Sequence, residues 1–402
     1  EAAIDYARNG FPVSPLISDH FKFDAAAAPT LAAVYHPDGK VPQYGDVFKN
    51  PLLARSLEQV AQGGADAFYR GQIGQRIVDK SNELGGYLSM RDLADHRADW
   101  VEPVSVNYRG WDVWEIPPNG QGIAALQMMN ILENFEIGQL KPNSPEHLHL
   151  FVEAKKLVFE DRARYYADMK FADVPLEWLL SKDYAKQRAQ LIDRRRASVD
   201  VPYGDPPLDS DTVYLTAADR EGNMVSFIQS LYHGYGSGIC PNDVGFAIQN
   251  RGQAFSLDPE HRNRLEPHKR PFHTIIPGFL TQSDRPVMAF GVMGGDFQPQ
   301  GHCQVLMNLL DFGMSVQQAG EQPRIAHDGS SHPWGGTMQH GGQLQLELRI
   351  APETQAKLAQ MGHRIAPGVT AHGGYQAIWR EDAPMRYFGG SDPRKDGAAL
   401  GY

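Results

Sequence analysis

Cysteine is scarce: Cys240 and Cys303 are the two among 402 residues, and neither stands in a CxxC or Cys/His spacing that would hold zinc. A reduced compartment and a bacterial periplasm both tolerate so few thiols. Basic runs are scarce too. Arg194-Arg195-Arg196 is the longest and reads as a solvated helix end. With 38 Lys and Arg against 48 Asp and Glu the net charge is −10. The sequence pI is near 5.8, a balance that disfavours nucleic-acid partners, because phosphate binding depends on clustered cations. Apolar runs such as Val287-Met288-Ala289-Phe290 are far too short to span a bilayer. Nucleotide and metal signatures are missing as well: there is no P-loop, no HExxH and no GxGxxG after a strand. Gly234-Tyr235-Gly236-Ser237-Gly238 carries its serine one place late for a nucleophile elbow. His147-Leu148-His149 is an i, i+2 pair that a helix would point to different faces. No cofactor and no metal are expected.

What is present reads as an ordinary folded chain, 42% hydrophobic and 21% charged, with a mean hydropathy of −0.43. It opens at Glu1 in what looks like the end of a helix, Ala3 to Arg8. An N-terminal part is therefore expected to be missing, together with any signal peptide, and the expected location is a bacterial cytoplasm or periplasm. Helical text continues at Leu53 to Gly63, at Gly71 to Glu83 and, capped by Ser89, at Met90 to His96. Two strands follow, Val104 to Tyr108 and Trp111 to Glu115, joined by Arg109-Gly110. Pro117-Pro118-Asn119-Gly120-Gln121-Gly122 breaks the strand and opens an apolar helix to about Phe135. A long amphipathic helix is expected over Pro145 to Asp168. Residues 189–210 turn Arg- and Asp-rich, then Pro- and Gly-rich, as a linker does. Strand text begins at Thr212 to Ala218 and Met224 to Ser230, with further strands at Gly245 to Gln249, Thr274 to Ile276 and Val287 to Val292, then a helix from Gln300 to Phe312. Grouped strands with flanking helices give an α+β layered body.

The Asp211-Thr212 junction stands out. Threonine is a common strand residue that usually only packs, yet this one follows an exposed Pro-rich loop and opens a strand. A cut there leaves a rigid N-terminal threonine, whose α-amine, with a pKa of ~7.7 to 8.0, takes the hydroxyl proton near neutral pH. Gly291-Val292-Met293-Gly294-Gly295 ends a strand in two glycines whose N–H groups can approach a substrate closely, as an oxyanion hole requires. A simple tight turn explains that pair equally well.

Several ordered motifs now resemble a known family. Thr212-Val213-Tyr214-Leu215-Thr216-Ala217-Ala218-Asp219, Gly222-Asn223-Met224-Val225-Ser226, Gly236-Ser237-Gly238-Ile239, Lys269-Arg270-Pro271, Gly294-Gly295, Ser391-Asp392-Pro393-Arg394 and Gly401-Tyr402 are similar to the small subunit of gamma-glutamyltranspeptidases, N-terminal-nucleophile hydrolases. Gly85-Gly86-Tyr87-Leu88, Asp92-Leu93, Tyr108-Arg109-Gly110 and Pro117-Pro118 resemble the C-terminal part of the large subunit. The resemblance implies a four-layer αββα sandwich, with residues 1–211 as that large-subunit portion and residues 212–402 as the small subunit. It implies self-cleavage between Asp211 and Thr212, Thr212 as nucleophile, Ser230 as the hydroxyl that assists it, and Gly294 and Gly295 as the oxyanion pair.

Three departures from the family pattern stand out. Tyr232 stands in place of a pocket asparagine, Ala254 in place of the aspartate that binds the glutamyl α-amino group, and His273-Thr274 in place of a Ser-Ser pair on the α-carboxylate. Arg251 offers a guanidinium nearby, or is an ordinary surface arginine after Asn250. The pattern resembles divergent homologues that include oxamate amidohydrolase and cephalosporin acylases. The expected partners are a small amide or peptide substrate and the two subunits of one precursor, and a dimer of these is compatible with that. Three readings stand: gamma-glutamyl hydrolase or transpeptidase, small-amide or acylase-type hydrolase, and a non-catalytic binding homologue.

Overall fold

A computed structural model describes residues 1–199, 211–369 and 371–402. They form two compact units, the first made of residues 1–100 and 231–250, the second of residues 101–230 and 251–402. Residues on both sides of the expected processing point thus share the second unit. A border made by cleavage need not be a border of packing. Residues 200–210 of the expected linker lie outside the described residues.

The first unit is helical, with its longest helices at Pro51–Tyr69 and Gln72–Glu83. Asn50 caps the former, its side chain accepting from Leu53 N–H, and Ser89 and Asp92 form a capping box on Met90–Asp95. Three small apolar clusters hold the unit together, around Phe21 and Phe48, around Leu31 and Cys240, and around Ile73 and Ile77. The expected strand at Gly245 to Gln249 is irregular instead. Gly245 has φ +77° and an added Cβ would strike Leu53 N at 2.2 Å, so this segment is shaped to lie against a helix start and not to join a ladder.

The second unit is built on a six-stranded antiparallel sheet of β1 (Val104–Tyr108), β2 (Trp111–Glu115), β5 (Gly278–Gln282), β6 (Arg285–Met293), β7 (Gly374–Asp382) and β8 (Met385–Ser391), in the order β8-β7-β6-β5-β2-β1. A two-stranded sheet pairs β3 (Asp211–Ala218) with β4 (Met224–Tyr232). Alternate residues of β6 show how the layers stack. Phe290 and Val292 meet His302 and Gly301 of a helix, whereas Gly291 between them lies under the Tyr214 ring of β3. Helices α1 (Gly122–Leu132), α2 (Pro145–Tyr165) and α3 (Gln298–Leu310) thus make one layer, and the two sheets the next two. The outward residues Val213, Leu215, Val225 and Phe227 of the small sheet are exposed.

Helix α2 corrects the amphipathic expectation, because nearly every face of it is buried. Several of its charges are paired inside: Lys156 Nζ donates to Glu153 at 2.8 Å, and Asp161 accepts from Arg188 at 3.0 Å and Tyr184 at 2.9 Å. Buried charges persist when so paired. Thr274 to Ile276 is also not a strand. It is held by side-chain amides, with Gln298 accepting from Ile276 N–H at 3.0 Å and Gln121 donating to Thr274 O at 2.9 Å.

Candidate active site

Thr212 is the second residue of β3 and 3% exposed. Its Oγ1 donates to Ser230 Oγ on β4 at 3.0 Å. Two residues on, and on the same face, the ring of Tyr214 covers Gly291, where an added Cβ would come within 2.5 Å of it. The Tyr214 hydroxyl lies 2.8 Å from Ser226 Oγ, which donates to Phe290 O at 3.3 Å. Glycine at 291 is therefore what lets the small sheet seat closely, and this seating fixes the strand that carries Thr212.

Past Met293 the chain turns through Gly294 (φ 137°, ψ 37°) and Gly295 (φ 56°) into the 3-10 turn Gly295–Phe297 and then α3. A φ of 137° is open in practice to glycine alone. Phe297 N–H donates to Gly294 O at 3.0 Å. The pair thus sits at the head of a 13-residue helix, where unpaired N–H groups and the positive end of the macrodipole favour negative charge. Behind it an added Cβ on Gly373 would lie 2.6 Å from Met293 O. The Ser391-Asp392-Pro393-Arg394 motif stabilises this neighbourhood. Asp392 accepts from Tyr375 N–H at 2.8 Å and pairs with Arg324 at 2.7 Å, Arg394 pairs with Glu347 at 2.6 Å, and Glu347 accepts from His372 N–H at 2.9 Å.

Arg251, His273 and Thr274 come together on loops of the same unit. Arg251 is buried, so the surface reading of it does not hold, and its Nη1 donates to Thr274 Oγ1 at 2.9 Å. Burial, with help from the Arg251 and Arg270 cations, pushes His273 down to about 3. The ring is therefore neutral near pH 7. Its Nδ1 accepts from Ile275 N–H at 3.3 Å, which leaves Nε2 as the N–H donor. Ala254 is buried in the apolar core, and its carbonyl accepts from Asn263 at 2.7 Å. Tyr232 belongs to the other compact unit, where its ring stacks on His233 and its φ is +82°.

Sequence reading misses a set of side chains around the turn. Gln121 Nε2 donates to Gly295 O at 2.8 Å as well as to Thr274 O, and Gln121 Oε1 accepts from Arg162 Nη1 at 2.7 Å. Asp296 pairs with Arg162 at 3.1 Å and His332 at 2.9 Å. Burial raises its pKa, but these two partners outweigh it and hold the carboxyl well below the usual range. A cavity of about 410 Å³ beside Gly294 is lined by Lys155, Asp296, His327 and Ser330 among others. Burial, then Arg162, brings Lys155 down to about 7, against Asp328, Asp296 and Glu160. No sequence signal marks these residues, since they lie inside helices and loops and meet only on folding.

The histidine pair of the sequence separates as expected. His147 Nδ1 accepts from Asn143 N–H at 3.1 Å, while His149 Nδ1 meets His363 Nε2 at 2.8 Å. His149, Glu153 and His363 bring ligand atoms within 4.8 Å of one another. Yet His149 Nε2 is 2.7 Å from Asp193 O, and Glu153 carries both the Lys156 ammonium and Ser198 N–H. A cation there would compete with a lysine already in place.

Against this geometry, the family model described as Gamma-glutamyltranspeptidase matches residues 1–402. The chain belongs to the gamma-glutamyltranspeptidase family. It is an enzyme of hydrolase or transferase type with the N-terminal-nucleophile hydrolase fold. Within the family it is 40% identical over 412 residues to the glutathione hydrolase-like YwrD proenzyme of Bacillus subtilis, covering 100% of this chain and 75% of that one. It is 34% identical over 406 residues to the oxamate amidohydrolase proenzyme of Klebsiella pneumoniae, again covering 100% and 75%. The crystal structure of a cephalosporin acylase from Bacillus halodurans matches with a TM-score of 0.88 at 39% identity, covering 99% of this chain and 73% of that one. Among the described residues no helix is long and apolar enough to cross a membrane.

Proposed function

We propose that this family member cleaves itself before Thr212 and then hydrolyses or transfers the acyl group of a small amide. The observation that carries the reading is the 3.0 Å contact between Thr212 Oγ1 and Ser230 Oγ, which holds the threonine hydroxyl inward on a seated strand. In processing, Thr212 Oγ1 attacks the Asp211 carbonyl carbon, the Asp211–Thr212 C–N bond breaks as the nitrogen takes the proton, and water hydrolyses the ester. The products are an Asp211 carboxylate, ending residues 1–211, and a free Thr212 amine, opening residues 212–402. In turnover that amine is the base, Thr212 Oγ1 forms the acyl-enzyme, and the N–H groups of Gly294 and Gly295 stabilise the oxyanion. Water or an amine then accepts the acyl group.

The recognition end supports an acyl group that bears a carboxylate and no α-amine. Arg251 supplies the charge, Thr274 orients it, and neutral His273 offers an N–H. Ala254 has no carboxylate to meet an ammonium, a loss of about 1.5 to 3 kcal/mol of charge-assisted hydrogen bonding. The relatives named as oxamate amidohydrolase and cephalosporin acylase are in keeping with this. The test is hydrolysis of glutamyl, glutaryl and oxamate-like amides by one preparation. The amides lacking an α-amine are expected to have kcat/KM at least about tenfold higher, or ~1.4 kcal/mol. A tenfold preference for the glutamyl amide would replace this substrate with a plain gamma-glutamyl one.

A further inference from the structure

We infer that Gln121 is a positioning residue that holds the oxyanion turn and the Arg251–Thr274 pocket in register. This rests on the proposed roles of Thr212, Gly294 and Gly295 and adds a residue to that site. Gln121 is fully buried at the head of α1, and its amide has all its partners. One N–H goes to Gly295 O at 2.8 Å and the other to Thr274 O at 2.9 Å, while the oxygen receives Arg162 Nη1 at 2.7 Å. Carbonyls only accept and a guanidinium only donates, so the orientation of the amide is fixed by its neighbours.

The consequence falls on Gly295. A glycine at φ +56° has no side chain to hold its peptide planes, and either plane is free to rotate unless something pins it. Phe297 N–H pins the preceding plane through Gly294 O at 3.0 Å, and Gln121 pins the following one through Gly295 O together with the backbone N–H of Gln298. The Gly295 N–H lies in the preceding plane, opposite Gly294 O, and with the following plane held as well, the dihedrals of Gly295 are fixed and the N–H keeps a single direction before substrate arrives. The second N–H of the same amide holds the backbone of Thr274, the residue that receives Arg251. One side chain thereby sets the position of charge stabilisation relative to acyl recognition. The loop around it serves the same end. Asn119 Nδ2 donates to Pro271 O at 2.6 Å, and His273 N–H donates to Asn119 O at 3.0 Å. Arg162, itself held by Asp296 and His332, keeps the amide from turning over.

Gln121→Glu keeps the size but turns the NH2 that donates to both carbonyls into an oxygen facing them. Gln121→Met keeps the length and removes every polar contact. Both are compared with wild type after counting active Thr212 by burst release of product from an activated amide, so that misfolded molecules do not enter the rate. The expected result is a fall in kcat per active site of about tenfold to a hundredfold in both variants, since losing a whole oxyanion donor costs about 10²–10³. KM should change less than about threefold, because binding residues remain. Two folded variants with wild-type kcat per site and only a lower Tm would overturn the proposal and leave a packing role. Should neither variant fold, Asn119→Asp, which inverts the neighbouring contact to Pro271 O, carries the same expectation on a smaller scale. An unchanged kcat per site in that variant would equally overturn it. Failure of the underlying reading has its own signature: wild-type enzyme that shows no acyl adduct on Thr212.

Discussion

Thr212 and Ser230 meet because two paired strands carry them, whereas Arg251 meets Thr274 across loops that no ladder joins. The first contact follows from backbone pairing and the alternation of a strand. The second depends on particular side chains, with Asn119, Gln121 and Gln298 holding a segment that forms no strand. A contact set by a ladder tolerates exchange of its neighbours, since every residue along it repeats the constraint. A contact set by single amides can be retuned by one substitution. On the proposed reading, chemistry carried by the strand pair and specificity carried by the loops are thus free to change separately.

The largest expected effect separates the two halves outright. Thr212→Ala should remain one chain on a denaturing gel and lose more than about a thousandfold in turnover, as removal of a nucleophile does, while its folded structure persists. A wild-type protein that stays intact on prolonged incubation would overturn the self-cleavage before Thr212. On the recognition side, Arg251→Met should raise KM for carboxylate-bearing amides about tenfold to a hundredfold, with kcat within about threefold. Arg251→Lys should restore little, because a lysine lacks the planar fork. Equal losses in kcat would show that the halves are not separable.

The smallest effect concerns His273. Its folded pKa of about 3 lies below the ~6.5 of an unfolded histidine, so the unfolded chain binds the extra proton between those values. The stability this burial contributes is complete above about pH 6.5 and is lost as pH falls toward 3. His147 and His363, lowered by burial to about 4 and about 3, act in the same direction. Urea midpoints should therefore fall from pH 7 to pH 5, and His273→Gln should fall less steeply than wild type. The acidic limb of kcat/KM should keep its midpoint in that variant, since the proposed reaction assigns it to the Thr212 amine. A shifted midpoint would place His273 among the titrating groups of the reaction.

Much of this was legible in residue order. The hairpin Val104 to Glu115 and the strands after the Pro-rich stretch have the expected period, and glycine at Gly294 marks a backbone, φ 137°, that other residues hardly adopt. Less legible were the segments whose shape depends on distant partners. Gly245 to Gln249 and Thr274 to Ile276 have strand composition yet are held by contacts with Leu53, Gln121 and Gln298. Helix α2 looked amphipathic because its charges are regularly spaced, and only folding shows them paired inside.

Sequence by itself determined the local conformations and the presence of the groups the proposed reaction uses: a threonine near the start of a strand, a hydroxyl on the next one, two glycines after a third. Those properties reside in single residues and their neighbours, and backbone sterics read them directly. Tertiary structure alone decided which buried polar atoms would share partners. A buried amide or guanidinium must find acceptors wherever the packed chain brings them, and for Gln121 those acceptors come from Thr274 and Gly295, residues far along the chain that no local pattern connects to it.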